Sequence, residues 1–250
     1  MPYIEEVCIA GQTVEVSKYY SYRVHTKGEK RLSTGEATSE SQKKINQRRA
    51  GTKLRRLMNN NFVDGDFLIR LDFHEVHPQT SEEMQVLTSN FIRRLKREYQ
   101  KTGVDLKYIY VKELGKRGGR HIHLLVNKNY PDLIRKCWEY GGIHIDPLIS
   151  NGQYRKIAEY FIKYASKTEE TEGKLIGKRW YASRNLVPPK VRKKVITSNI
   201  FRNKVRIIKG YYLDAETERY GISESTGYEY FSYTLIKDTR GPTGRRTKDG

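Results

Sequence analysis

Leu106-Lys-Tyr-Ile-Tyr-Val-Lys-Glu113, Gly115-Lys116-Arg117-Gly118-Gly119 and Arg120-His121-Ile122-His123-Leu124-Leu125-Val126-Asn127 together decide the fold. Two runs rich in β-branched and aromatic residues flank a glycine-rich loop, the pattern of a β-hairpin. Residues i and i+2 of a strand share a face, so His121 and His123 project side by side. Ile122, Leu124 and Val126 turn to the opposite face, toward helices. A loop centred near Arg117 sets Glu113 opposite His121 and Val111 opposite His123. Opposed residues share a face, with Cβ atoms roughly 5 Å apart. His121, His123 and Glu113 are therefore a candidate ligand set for one divalent ion. A one-residue slip would turn Glu113 away. The alternative reading is two strand histidines making ordinary hydrogen bonds.

Outward from the hairpin, Phe67 to Phe73 reads as a buried strand. A helix follows from a cap at Ser81 to about Lys101, with Met84, Leu87, Phe91 and Leu95 facing inward, and Gly103 ends it. Downstream, the pattern predicts a short helix from Asp132 to Tyr140, a strand from Ile143 to Ile145, and a helix from about Gly152 to Ser166 capped by Asn151. Strand, helix, strand, strand, helix, strand, helix is the order of an α+β domain, an antiparallel sheet with helices packed on one face. Before it, residues 1–36 read as short strands and turns, and Thr38 to Asn59 as a basic helix. That helix carries Lys43, Lys44, Arg48, Arg49, Lys53, Arg55 and Arg56, either a backbone-binding element or a solvated face. The division expected is a basic N-terminal extension (1–62), a catalytic domain (63–170), a basic C-terminal extension (171–240) and a disordered tail (241–250).

Lys and Arg number 48 against 29 Asp and Glu, a net charge of +19. Such a field favours an anionic polymer as partner and salt-sensitive binding. No acidic residue falls between Gly173 and Leu213, and the cations from Lys174 to Lys209 are candidates for gripping a DNA backbone. Cys8 and Cys137 form no paired metal-ligand spacing and argue against a disulfide framework, which fits a reducing cytoplasm. No apolar run approaches the roughly 20 residues of a membrane span, and no signal peptide is expected.

The second chemical feature is Ile157-Ala-Glu-Tyr160-Phe-Ile-Lys163-Tyr164-Ala-Ser-Lys167. At about 100° per residue, Tyr160, Lys163, Tyr164 and Lys167 fall on one stripe, and Ile157, Ala158, Phe161, Ile162 and Ala165 on the other. A phenol with pKa near 10 is a weak nucleophile while neutral. Nearby ammonium groups favour its ionised form and a bound phosphate. The chain has 19 tyrosines, so a pair one turn apart also arises without chemistry. His144 and Asp146 alternate on a strand and form a weaker, mainly structural candidate.

Taken together, the His121-Ile122-His123 strand and the later Tyr160-x-x-Lys163 helix resemble the His-hydrophobe-His (HUH) endonucleases. Tyr160 and Tyr164 resemble the paired tyrosines of replication initiators from isometric single-stranded DNA phages. Phe67-Leu-Ile-Arg-Leu-Asp-Phe73 resembles the first motif of that superfamily, with Arg70 and Asp72 where threonines are often found. The flanks, Thr38 to Asp66 and Arg184 to Lys237, resemble replication-associated proteins of phages, plasmids and integrated elements. The resemblance implies a ferredoxin-like or RNA-recognition-like sheet, a Mg²⁺ or Mn²⁺ ion, and nicking of single-stranded origin DNA. It further implies a 5′-phosphotyrosyl link on Tyr160, with Tyr164 as its partner, and rolling-circle replication in a bacterial cytoplasm with a host helicase and polymerase. No Walker-type loop is present, so no built-in helicase is expected. A transposase or mobilisation relaxase would share these motifs, and a non-catalytic nucleic-acid-binding module would share the sheet.

Overall fold

The computed structural model describes residues 3–20, 40–74, 78, 80–115, 119–150, 152–171, 178–198, 200–223 and 227–239, with backbone only for 40–42 and 167–171. In chain order the elements are β1 (Tyr3–Ala10), β2 (Thr13–Tyr19), α1 (Glu40–Asn61), β3 (Phe67–Asp72), α2 (Ser81–Lys101), β4 (Tyr108–Leu114) and β5 (Arg120–Val126). Then come α3 (Pro131–Cys137), β6 (Ile143–Pro147), α4 (Arg155–Thr171), β7 (Tyr181–Ala182), β8 (Lys190–Ile196), β9 (Tyr211–Ile222) and β10 (Glu229–Lys237). They form two compact units, a central one of residues 37–188 and a terminal one of residues 1–36 with 189–250.

The central unit is an antiparallel sheet in the order β6-β3-β5-β4-β7. The α+β class is as read from the sequence. The helices, expected on one face, divide between two. Met84, Phe91, Leu95 and Tyr99 of α2 and Ile134 of α3 pack with Ile69, Leu71, Ile122, Leu124 and Val126. On the other face Leu54 and Met58 of α1 and Ala158, Phe161 and Ile162 of α4 pack with Ile109, Val111 and Leu125. The reason lies in β4 and β5, whose residues are buried on both faces over most of their length. Strands apolar on both faces need a layer on each.

Local chemistry sets the helix ends. Thr80, one residue before the expected cap, accepts a hydrogen bond from the Glu83 amide, and Glu82 and Glu83 stand in the first turn of α2. The expected caps Thr38 and Asn151 and the tail beyond Arg240 lie outside the described residues. The helix α1, assigned above to an extension, packs on α4 within the central unit. Asn59 near its end accepts a hydrogen bond from the Tyr154 amide, 2.9 Å away, which ties the start of α4 to α1.

The terminal unit is a second antiparallel sheet, β8-β1-β2-β10-β9. Gly11, at φ 55°, makes the tight turn between β1 and β2. One face carries a core of Val14, Val16, Phe231, Tyr233 and Leu235, covered by Phe201 and Val205 of the connecting segment. The two stretches read as separate basic extensions thus contribute strands to one sheet, with β1 paired to β8 and β2 to β10.

The turn at residues 140–142 clamps the end of β3. The Asp72 amide donates to Gly142 O, and the His74 amide to Tyr140 O. Gly141 has φ 156°, and a Cβ there would lie 2.1 Å from Asp72 O. Backbone cannot give way as a flexible side chain can. Gly141→Ala is expected to cost at least about 2 kcal/mol, read from urea unfolding.

Candidate active site

Register sets out the site on the sheet face shared with α4. Asp72, His121 and Glu113 form one row across β3, β5 and β4. Arg70, His123 and Val111 form the next. The pairing of Glu113 with His121 and of Val111 with His123 is the register read from the hairpin sequence.

Hydrogen bonding follows a different pattern from the rows. His121 Nδ1 lies 2.6 Å from Asp72 Oδ1. Arg70 Nε approaches the same carboxylate at 3.1 Å. Glu113, directly opposite His121, instead reaches diagonally to His123, with Oε2 2.8 Å from Nε2. Asp72 already occupies the near side of His121, so the diagonal imidazole is the partner left to Glu113. His123 and Glu113 are 3% and 6% exposed, and a buried polar pair of this kind must be mutually satisfied.

The tyrosines of α4 close on His123. The apolar stripe read from the sequence is the buried one: Ala158, Phe161, Ile162 and Ala165 are all buried. Tyr160 Oη lies 3.3 Å from His123 Nδ1. The Tyr164 ring stacks on the imidazole, centroids 4.4 Å apart at 23°, and meets Tyr160 edge-on at 4.3 Å. Burial raises the Tyr160 phenol well above its usual pKa, and a hydrogen bond with Tyr164 adds to this, while Arg70 draws it down. Lys163 is exposed on α4, and the Lys167 side chain lies outside the described residues.

The sequence reading left Asp72 and Arg70 without a role. Their signal was positional, since Asp72 stands beside His121 across β3 and β5. Two hairpin glycines also bear on the site. The Gly115 amide donates to Gly119 O, and a Cβ on Gly119 would sit 3.2 Å from His121 Nε2. Glycine therefore leaves that nitrogen open. His144 and Asp146 stand on the edge strand β6 and pair with each other at 3.2 Å, both largely exposed.

Among the described residues no group of three or more His, Cys, Asp or Glu side chains is disposed as a ready metal site. The donors are instead paired two by two. Their chemistry suits a divalent ion, two imidazoles with a buried carboxylate. His123 Nε2 and Glu113 Oε2, 2.8 Å apart, are separated by nearly the about 3 Å spanned by adjacent ligands at about 2.1 Å from one ion.

Residues 68–169 match the family described as Replication-associated protein ORF2/G2P. Over that stretch the chain is similar to this family. The match runs from β3 into α4 and so contains Asp72, Glu113, both histidines and both tyrosines, and it ties the domain to DNA replication. No curated protein and no solved structure matches the chain. No helix among the described residues is long and apolar enough to cross a membrane.

Burial holds the His123 imidazole below its usual pKa, with Glu113 partly opposing. The unfolded chain binds a proton there near pH 6.5, and the folded one binds it only at lower pH. The stability this contributes is present above about pH 6.5 and is lost as the pH falls through the folded value. With chelator present, stability is expected to fall as the pH drops below about 6.5, by no more than about 1.4 kcal/mol per pH unit for this one group. Urea unfolding across that range checks it, and His123→Gln should flatten the slope.

Proposed function

We propose that this chain is a rolling-circle replication initiator of the His-hydrophobe-His class, which cuts and rejoins one strand of origin DNA through a tyrosine. The observation that carries the reading is the approach of Tyr160 Oη to His123 Nδ1, at 3.3 Å, with Glu113 on the other ring nitrogen. The hydroxyl is thereby held beside the carboxylate and imidazoles that would hold the ion. The phenol is held neutral by its surroundings, so its proton must leave at the moment of attack. Nδ1 of His123 faces the phenolic oxygen and positions it. The proton passes to the medium as the phenolic oxygen bonds to phosphorus. The bond from phosphorus to the 3′ oxygen breaks, and that oxygen gains a proton from the medium. The product is a 5′-phosphotyrosyl link and a free 3′-hydroxyl.

Tyr164, stacked on the same imidazole, is the second nucleophile for the return transfer. Lys163, and Lys167 one turn on, meet the charge of the bound phosphates, and the cations between Lys174 and Lys209 hold the backbone. His121, His123 and Glu113 would hold a Mg²⁺ or Mn²⁺ ion, which when bound supplies Lewis-acid polarisation of the scissile phosphate. A host helicase and polymerase would extend the 3′ end, since the chain has no Walker-type loop of its own.

The deciding experiment incubates the protein with single-stranded origin DNA and Mn²⁺ and isolates a denaturant-resistant adduct. Tyr160→Phe keeps the ring and removes the nucleophilic oxygen, so the first adduct should vanish while the fold stays intact. Tyr164→Phe should spare the first nick and impair rejoining. Peptide mapping that finds DNA on a residue outside α4 would sink the mechanism.

Replacing His121 and His123 together by alanine should abolish nicking and leave bulk DNA affinity within about twofold, because affinity rests on phosphate contacts by the basic surface. Chelation of the wild-type protein should do the same. Nicking at the normal rate in EDTA would refute the metal assignment and leave the tyrosine assignment standing.

A further inference from the structure

The terminal sheet has one face covered by the connecting segment, and an opposite face that is buried at Cys8, Ala10, Thr13 and Thr234 but partly exposed at its other end. Phe201 and Val205 cover Val14, Val16 and Phe231. The opposite face at that end of the sheet carries a row of Ile4, Tyr19, Tyr230 and Gly221 on β1, β2, β10 and β9. The two tyrosines are direct cross-strand partners on adjacent strands. A Cβ on Gly221 would meet Tyr230 Oη at 3.1 Å and Cε1 at 3.2 Å. The Tyr230 ring therefore lies down over the glycine, and at 37% exposure the ring remains accessible to solvent.

The neighbouring row holds the charges. It runs Lys193, Glu6, Ser17, Ser232 and Arg219 across all five strands. The carboxylate in that row, Glu6, is engaged by Lys193 Nζ at 3.0 Å and by the Tyr19 hydroxyl, which donates to it at 3.2 Å. Arg219 is exposed at the other end, with Nη1 on the neighbouring Glu218 carbonyl at 2.8 Å. A ring lying along the sheet, with Lys193 and Arg219 at the two edges of the next row and two serines between them, offers a base a face to stack on and its phosphates a cation toward each edge.

We propose that this face is a platform for single-stranded DNA, with Tyr230 and Tyr19 beneath the bases and Lys193 and Arg219 at the backbone. The excess of cations over acids in the whole chain, +19, favours a polyanion as the occupant. Stacking on a π-face is tolerant of sequence, so the platform holds strands without reading them. It selects single strands over duplex, because paired bases have no free face to offer. The platform does not depend on the nicking chemistry, and each fails separately.

Binding of the full chain to a fluorescent oligothymidylate, and to a duplex of equal length, tests it without metal. Tyr230→Leu should weaken the single strand about tenfold, Tyr230→Phe should keep it within about twofold, and neither should change the duplex. Equal losses for single strand and duplex, or wild-type affinity in Tyr230→Leu, overturn the platform. Because Tyr230→Leu could disturb the sheet, the wild-type protein is also photocrosslinked to an oligomer bearing 5-iodouracil. Crosslinks at Tyr230 or Tyr19 support the platform, and crosslinks confined to other residues overturn it whatever the variants do. A missing phosphotyrosyl adduct with these crosslinks present refutes the nicking mechanism alone.

Discussion

The site depends on the register of three strands. Each of β3, β4 and β5 alternates its side chains between the two faces of the sheet, and the cluster exists only in the pairing that aligns Asp72, His121 and Glu113. A slip of one residue in β5 would send both imidazoles toward α2 and bring Ile122 and Leu124 under α4. The apolar residues prevent it. Ile122, Leu124 and Val126 are fully buried on the α2 side, and each would have to be exchanged for a polar neighbour in a slipped strand. The hydrophobic cores on the two faces thus act as the clamp that places polar groups, an energetic role distinct from their contribution to stability.

Given that register, the polar groups arrange themselves by competition. Both histidines have a carboxylate within reach, and each carboxylate is claimed by one imidazole. Asp72 takes His121 and is itself held by Arg70, so Glu113 is left to His123. The consequence is an asymmetry between two residues that look equivalent in a His-x-His motif. His123 is buried and has carboxylate and phenol on its two nitrogens, whereas His121 is half-buried with Nε2 beside two glycines. One imidazole is wired to the tyrosines, and the other is paired with Asp72 and lies against the hairpin glycines. The two tyrosines are unequal in the same way, one presenting its hydroxyl to His123 and the other its ring face.

Much of this was legible in the sequence, for reasons that differ by element. The hairpin was legible because a glycine-rich loop between two β-branched runs fixes both its ends, and strand periodicity then assigns faces without further information. The tyrosine stripe was legible because helical periodicity separates it from Ala158, Phe161 and Ile162. The division of helices between two faces was not, because a strand buried on both sides reads as a continuous apolar run and says nothing of which helix covers which side. The second sheet was missed for a similar reason. Its strands come from opposite ends of the chain, and β8 is so rich in lysine that its composition speaks of surface rather than pairing. Asp72 escaped notice because its importance lies across a strand boundary, in a partner 49 residues away.

The basic charge and the histidine–tyrosine cluster answer to different physics. Charge acts at the range of a Debye length and is indifferent to a displacement of an ångström, so exposed lysines such as those of α1 and β8 supply affinity that any polyanion shares. The in-line attack proposed for the cluster would fail over such a displacement, and three strands and two helices hold its residues in place. The tie from Asn59 to the Tyr154 amide belongs to this second class, since it sets the start of α4 and hence the reach of Tyr160 toward His123. A protein acting on one bond of a long polymer needs both kinds of interaction, and it gains from keeping them on separate residues. On the proposed mechanism, the lysines meet the length of the polymer while the cluster alone sets the geometry at the bond that is cut.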